Sequence, residues 1–447
     1  MNRSCAMGRA VVIGAVLVAA PLRAQVPAVP EDGARPISLA EAVQLAQRNA
    51  PGVVQARGLE RNASASHRAV IGSYMPTLTM NASTGRTLGV QFFQGQLIPI
   101  TGNPWNYNNG FNTQLELFDG GRRLSELRRA RASSDVADAS TIQARFDAAL
   151  QAKQQFYAVL AAHESEAAAK AQLEQAEQQL KASTARVAAG VATKSDSLRS
   201  AIQVGNAQLA VLTAQNDLRV ANAALTRFVG STTTVTASLT DTVEVLPTIP
   251  TETELEALVN RGPGVLVAEA SYEAAKAGRR AQRSQYLPTL SMSYLYTFTQ
   301  GSRTFDGGNL FLVGAQNPNR KNMTFNFSYP LFNGFQREQQ TVQADVALRN
   351  AEAQLRDARL SARQTLTQQM RALQNAQARV AVQLAAIAAA EEDLRVQQQR
   401  YALGASTLLD LLTSQTQLNQ ARQALIQARL DGRIARAQLS ALIGREL

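Results

Sequence analysis

The sequence predicts an α+β chain, in which long coiled-coil helices carry a transmembrane β-barrel wall shared between several copies, the whole built from two internal repeats. Three observations predict it. Landmarks of the first half return in the second at a nearly constant offset. Four segments alternate apolar and polar side chains over about ten residues, the length a tilted membrane strand needs. Proline-free stretches rich in Ala, Gln, Arg, Leu and Glu run far beyond the helix length of ordinary soluble domains.

Self-similarity decides the architecture before any single element does. Tyr74-Met-Pro-Thr-Leu78 returns as Tyr286-Leu-Pro-Thr-Leu290, and Ala50-Pro-Gly-Val53 as Gly262-Pro-Gly-Val265, both at an offset of 212. Phe118-Asp-Gly-Gly-Arg122 returns as Phe332-Asn-Gly-Phe-Gln336, and Arg186-Val-Ala-Ala-Gly190 as Arg400-Tyr-Ala-Leu-Gly404, both at 214. The expected organisation is a leader over 1–24, a first repeat over 37–229, a linker over 230–250 and a second repeat over 251–443. The β-hairpins are expected at 76–118 and 288–332, and the turns between helices near 190 and 404.

The leader has basic Arg3 and Arg9, a short apolar run from Val11 to Ala20, and a small residue at Ala24, which is the layout of a secretory signal peptide rather than a membrane span. Each repeat then opens with a helix, about Ser38–Ser73 and Glu252–Gln285, broken early at Pro51 and Pro263. The strands follow by alternation. Leu78, Met80 and Ala82 share one face; Trp105, Tyr107, Phe111, Leu115 and Leu117 share another, interrupted near Asn109 and Thr113. In the second repeat Leu290 to Phe298 and Met323 to Leu331 alternate in the same way. Four strands cannot close a barrel, and an open sheet edge in lipid leaves backbone groups unpaired, so several chains must share one wall. Trp105, Tyr107, Tyr294 and Tyr296 are expected at the membrane interfaces.

The long helices carry heptad marks. Leu173, Leu180 and Val187 recur every seven residues, Leu198, Ile202, Gly205, Leu209 and Leu212 follow a four-three spacing, and Leu411, Leu418 and Leu425 are their expected second-repeat equivalent. Residues 230–250, rich in Thr, Val and Pro, are expected to form a linker with some extended structure.

Composition excludes several classes. Aromatics make up 5% of the chain against 45% hydrophobic residues, thin material for a thick globular core. The formal charge of +11 falls to +8 once the leader, with Arg3, Arg9 and Arg23, is removed, and the arginines are scattered along helices without an aromatic reader motif, so no nucleic-acid partner is expected. Cys5, the one cysteine, leaves with the leader. With only His67 and His163, no metal cluster, catalytic triad, cofactor or enzymatic activity is expected. The acidic run Glu391, Glu392 and Asp393 is expected on a solvated face.

These landmarks resemble the TolC family of outer-membrane efflux and secretion ducts, from Ile37 to about Ile443. The specific marks are Tyr286–Leu290 before a strand, Tyr329-Pro-Leu-Phe-Asn-Gly334 after one, and Tyr401–Asp410 at a helical turn. The resemblance implies a homotrimer with a twelve-stranded barrel among outer-membrane lipids and a helical tunnel through the periplasm, docked to a periplasmic adaptor and an inner-membrane pump. It implies a gate at the helix tips: Asp196 and Asp410 fall on its acidic positions and Tyr401 on a tyrosine that holds the closed state. The sequence departs from that pattern where a basic residue is expected, at Ser406, and where a second acid is expected, at Thr413. A ring of copies of Asp196 or Asp410 would concentrate cations; alternatively Asp196 caps its helix and Asp410 lies on a solvated face. The turn residues Val187, Gly190, Val191, Leu403, Gly404 and Ala405 are the expected adaptor-docking surface, and the glycines also suit helix C-caps. Two other classes stay open: a periplasmic coiled-coil adaptor that conducts nothing, and a surface receptor acting through outer loops 90–104 and 301–320.

Overall fold

The computed structural model describes residues 34–86, 89–93, 95–99, 105–239, 252–303 and 320–447. The leader with Cys5, residues 100–104 and 304–319 of the outer loops and residues 240–251 of the linker lie outside the described residues. The order helix, helix, strands, long helix, shorter helix occurs twice.

In the first half, β1 (Arg35–Ile37) leads to α1 (Leu39–Asn49) and α2 (Pro51–Gly72). Ser38 starts α1 by accepting from the Glu41 backbone N–H at 3.2 Å. The break falls at Ala50, whose ψ of 130° is the extended conformation forced on the residue before a proline. Then come β2 (Thr77–Arg86), a short hairpin of β3 (Val90–Phe93) and β4 (Gln96–Pro99), and β5 (Trp105–Phe118). The long α3 (Arg122–Ala188) and the returning α4 (Lys194–Val229) follow, and β6 (Val235–Ala237) pairs in parallel with β1. The second half has α5 (Glu252–Val259), α6 (Pro263–Arg283), a single 3₁₀ turn, β7 (Thr289–Arg303), β8 (Arg320–Ser328), α7 (Gln336–Ala402) and α8 (Leu408–Ile443). Both long helices have 67 residues and both returning helices 36. At 1.5 Å per residue a long helix spans roughly 100 Å.

The main sheet is antiparallel in the order β2-β5-β7-β8. Its central joint, β5 on β7, ties the two halves together; β2 and β8 form its edges. The register shifts between Asn109 and Gly110, where a Cβ on Gly110 would stand 2.5 Å from the Tyr296 carbonyl oxygen. Glycine is what lets β7 approach there. Two expectations need correction. The alternation expected to run to Leu331 ends at Ser328, because Pro330 has no N–H to give a ladder. Besides the four expected strands, β3 and β4 pair within the expected outer loop 90–104.

The core is strung along the helices rather than gathered at a centre. Phe156, Leu225 and Val229 pack with β1 and β6, and their counterparts 214 residues on, Met370, Leu439 and Ile443, pack with Leu255 and Val259 of α5. The buried seam of α3 is Ala169, Ala176 and Ser183, interleaved with half-buried Leu173, Leu180 and Val187 in a four-three spacing. The expected leucine series is thus the outer half of that seam, and small residues let the backbones close over the inner half.

The α4 expectation is corrected further. Leu198, Ile202, Leu209 and Leu212 are 57–65% exposed, and α4 faces α3 through Ser200 and Ala207 instead. Their second-repeat counterparts are Leu412, Thr416, Gln423 and Ile426, not the buried Leu411, Leu418 and Leu425. That other face of α8 meets α3, where the Ser165 hydroxyl donates to Gln423 Oε1 at 3.4 Å.

Candidate functional site

The expected site residues lie at the two hairpin tips. At the first, Gly190 has a φ of 75°; its N–H donates to the Val187 carbonyl and the Val191 N–H to the Arg186 carbonyl, both at 3.0 Å. At the second, Gly404 has a φ of 74°, its N–H donates to the Tyr401 carbonyl at 3.1 Å, and the Ala405 N–H reaches the Arg400 carbonyl at 2.8 Å. Each tip therefore stops its long helix with a left-handed glycine and a pair of reverse-turn bonds. Gly190, Val191, Gly404 and Ala405 are exposed, and Leu403 projects furthest at 85% exposure. Val187 differs: it is half-buried in the α3 seam.

Asp196 and Asp410 do the same local job. Asp196 Oδ2 accepts from the Thr193 N–H at 3.1 Å and the Thr193 hydroxyl at 2.9 Å. Asp410 Oδ2 accepts from the Thr407 N–H at 2.9 Å and the Thr407 hydroxyl at 2.7 Å. Both are third residues of reciprocal capping boxes. The reading of Asp410 as a side chain on a solvated face is corrected accordingly: the residue is exposed, yet it starts α8. The Thr407 hydroxyl and then its N–H, with Arg400 beyond, hold the Asp410 carboxyl below the ordinary aspartate range.

Tyr401 packs on the apolar cluster of Leu394, Leu408, Leu411 and Leu418 that closes the second tip. The residue that sequence reasoning missed is Arg186. Its guanidinium lies 4.8 Å from the Tyr401 ring centroid, and its Nη1 donates to the Ala402 carbonyl at 3.1 Å. One side chain of the first hairpin thereby grips the second. Its counterpart Arg400 turns back onto its own tip, donating to the Ala405 carbonyl at 3.3 Å. Burial pushes the Tyr401 phenol up; Arg186 opposes this and the Asp196 carboxylate adds to it. Among the described residues, Tyr401 Oη, Ser406 Oγ and Arg186 Nε are buried without a hydrogen-bond partner. Arg186 supplies a cation to Tyr401 at the tip where Ser406 stands in place of the expected basic residue. The sequence signal was available only as the first letter of the Arg186–Gly190 landmark.

Among the described residues no cluster of three His, Cys, Asp or Glu is placed to hold a metal ion, and no helix is long and apolar enough to cross a membrane.

The cobalt-zinc-cadmium resistance protein CzcC of Cupriavidus metallidurans is 28% identical over 182 residues, 41% of this chain and 43% of that protein. The outer membrane protein TolC of Salmonella enteritidis is 26% identical over 170 residues, 38% of this chain and 35% of that protein. The matched stretches span less than half the length of these two relatives. The solved structure of the outer membrane protein VceC of Vibrio cholerae superposes with a TM-score of 0.76 at 18% identity, covering 91% of this chain and 96% of that one. Residues 42–231 and 255–445, one stretch in each half, match the outer membrane efflux protein family, and the chain belongs to that family.

Proposed function

We propose that three copies of this chain close one outer-membrane barrel above a periplasmic helical tunnel, and that the assembly is the exit duct of a tripartite efflux pump or a type I secretion system. The conduit is passive: solutes or proteins handed over by an inner-membrane pump and its periplasmic adaptor pass through it. The observation that carries this reading is a pair of unmatched joints. Inside the chain, the second strand of the first half pairs with the first strand of the second half, β5 on β7, and α8 lies on α3. The equivalent joints one half further on are β8 on β2 and α4 on α7. Within one chain β2 and β8 are the edges of the sheet, and the α4 face is apolar and exposed. Head-to-tail copies make both joints at once, and a ring leaves no edge. Three copies give twelve strands, enough for a water-filled lumen.

The native mass of protein extracted from outer membranes, corrected for bound detergent, tests this. A mass of three protomers is expected; a monomer recovered from the soluble periplasm would move the chain to the adaptor reading, in which the hairpins bind partners and conduct nothing.

At the tips, Asp196 and Asp410 would form acidic rings facing the constriction, while Val191, Leu403, Gly404 and Ala405 face the adaptor, with Val187 and Gly190 setting the first tip's shape. Because both aspartates cap helices, alanine variants confuse charge with cap. Asp196→Asn and Asp410→Asn keep a side-chain oxygen for the threonine. In planar bilayers the paired asparagine variant should lower the cation-to-anion permeability ratio with helix content unchanged; an unaltered ratio would retire the acidic constriction.

A further inference from the structure

Directly below the sheet, an exposed apolar and aromatic band passes into a zone of arginines. The band includes Met75, Phe118, Leu287, Leu331 and Phe332, all exposed. Phe335 is telling within it. It adopts a φ of 63°, where its first-repeat counterpart is Gly121 with a φ of 80°, and its ring is 69% exposed. A bulky residue in that conformation is strained, and among the described residues its ring contact is an edge-on packing with Phe332. Such a band marks the boundary of a membrane. Arginines lock onto it in both halves: Arg123 lies 4.9 Å over the Tyr74 ring and Arg337 lies 5.1 Å over the Tyr286 ring.

Beyond this lies a second set of cations. Arg128, Arg129 and Arg131 stand in the early turns of α3, and Arg280 and Arg283 in the last turn of α6, which packs against α3. All five are exposed, and among the described residues none has an ion pair or a hydrogen bond. Nearby carboxylates are already taken: Glu116 and Glu126 by Arg122, Asp119 by Arg123, Glu273 by Lys276 and Asp345 by Arg279. The five lie within about 15 Å of the strand ends at 1.5 Å of rise per residue. This is the depth of lipid head groups below the hydrocarbon, within reach of arginine stems that run toward the interface.

We propose that these five arginines form a girdle that binds the phosphates of anionic phospholipids in the leaflet on the helix side of the sheet. The inference rests on the reading of the sheet as part of a membrane wall. Guanidinium groups suit the task because each offers paired N–H donors to a phosphate at fixed geometry. Free cations grouped beneath an aromatic band, with the local acids neutralised, leave a surface complementary to a negatively charged lipid layer.

The test uses the full-length assembled protein. Purified wild type is exchanged into mixed micelles holding equal phosphatidylglycerol and phosphatidylethanolamine, and retained lipid is counted by native mass spectrometry. Wild type should retain phosphatidylglycerol in preference. Arg→Gln at all five positions should reduce that preference about tenfold, and the milder pair Arg128→Gln with Arg131→Gln should reduce it in part. Ion selectivity in bilayers should stay as in wild type. No lipid preference in wild type, or a full preference in the five-fold variant, overturns the girdle. A shift in ion selectivity with lipid retention intact also overturns it, by turning these side chains toward the lumen. A monomeric wild type that takes up no lipid is a different failure, since it removes the membrane wall itself.

Discussion

Ile202→Glu combined with Leu209→Glu is expected to abolish the assembled form of the protein while leaving the separate chain helical. Both side chains are more than 60% exposed, and neither belongs to the seam by which α4 packs on α3, which runs through Ser200 and Ala207. A loss of intrachain packing is therefore not expected. With Leu198 and Leu212 they nevertheless keep a four-three spacing, the pattern of a helix face that meets another helix. Full burial of one such side chain contributes about 1.5–3 kcal/mol. Two buried glutamates would forfeit that and add unpaired charge at every joint of a ring. The measurement is the fraction of outer-membrane protein running as a heat-resistant oligomer, alongside circular dichroism of the variant in detergent. Oligomer yield should fall more than tenfold with helix content kept. An oligomer of wild-type yield and mass would show that this face is not the joint, and the ring would then have to close some other way.

The misassignment of that stripe shows what sequence alone determines. A seven-residue period tells which residues share a helix face but not which neighbour covers it. On α8 the matching face carries Thr416 and Gln423 and lies on α3 inside the chain, so its composition gave no warning that α4 differs. Strand positions were legible because alternation is local. The end of β8 was missed because Leu331 continues the alternation after Pro330 has ended the ladder. The pairing of β1 with β6 joins three-residue strands about 200 positions apart, and nothing in either strand announces the other. At the tips, the glycines were visible as turn signals, and the Thr-x-x-Asp spacing held the capping boxes in plain sight. What stayed hidden was long-range contact: Arg186 meets Tyr401 across more than two hundred residues of chain.

That contact sets the second large effect. Arg186→Leu should raise leak through the duct strongly, and Tyr401→Phe should hardly change it. Stacking of a guanidinium on an aromatic ring contributes about 0.5–2 kcal/mol depending on desolvation. The hydrogen bond from Arg186 to the Ala402 carbonyl adds about 1 kcal/mol. Three such contacts around a ring, lost together, weaken a closed arrangement by several kcal/mol, enough for a change of a hundredfold or more in the open-to-closed ratio at about 1.4 kcal/mol per tenfold. The phenol hydroxyl is a different matter. Tyr401 Oη is buried without a hydrogen-bond partner among the described residues, so removing it deletes an unsatisfied polar group and keeps the ring that Arg186 covers. Arg186→Lys should fall between, since an ammonium keeps the charge but not the planar stack. Conductance in planar bilayers, with sensitivity of cells to a large antibiotic as the readout in vivo, orders the four proteins. If Tyr401→Phe leaks as much as Arg186→Leu, the hydroxyl holds the tips together. If neither leaks, the grip between the hairpins is packing without a part in closure, and the constriction must be held by contacts between copies instead.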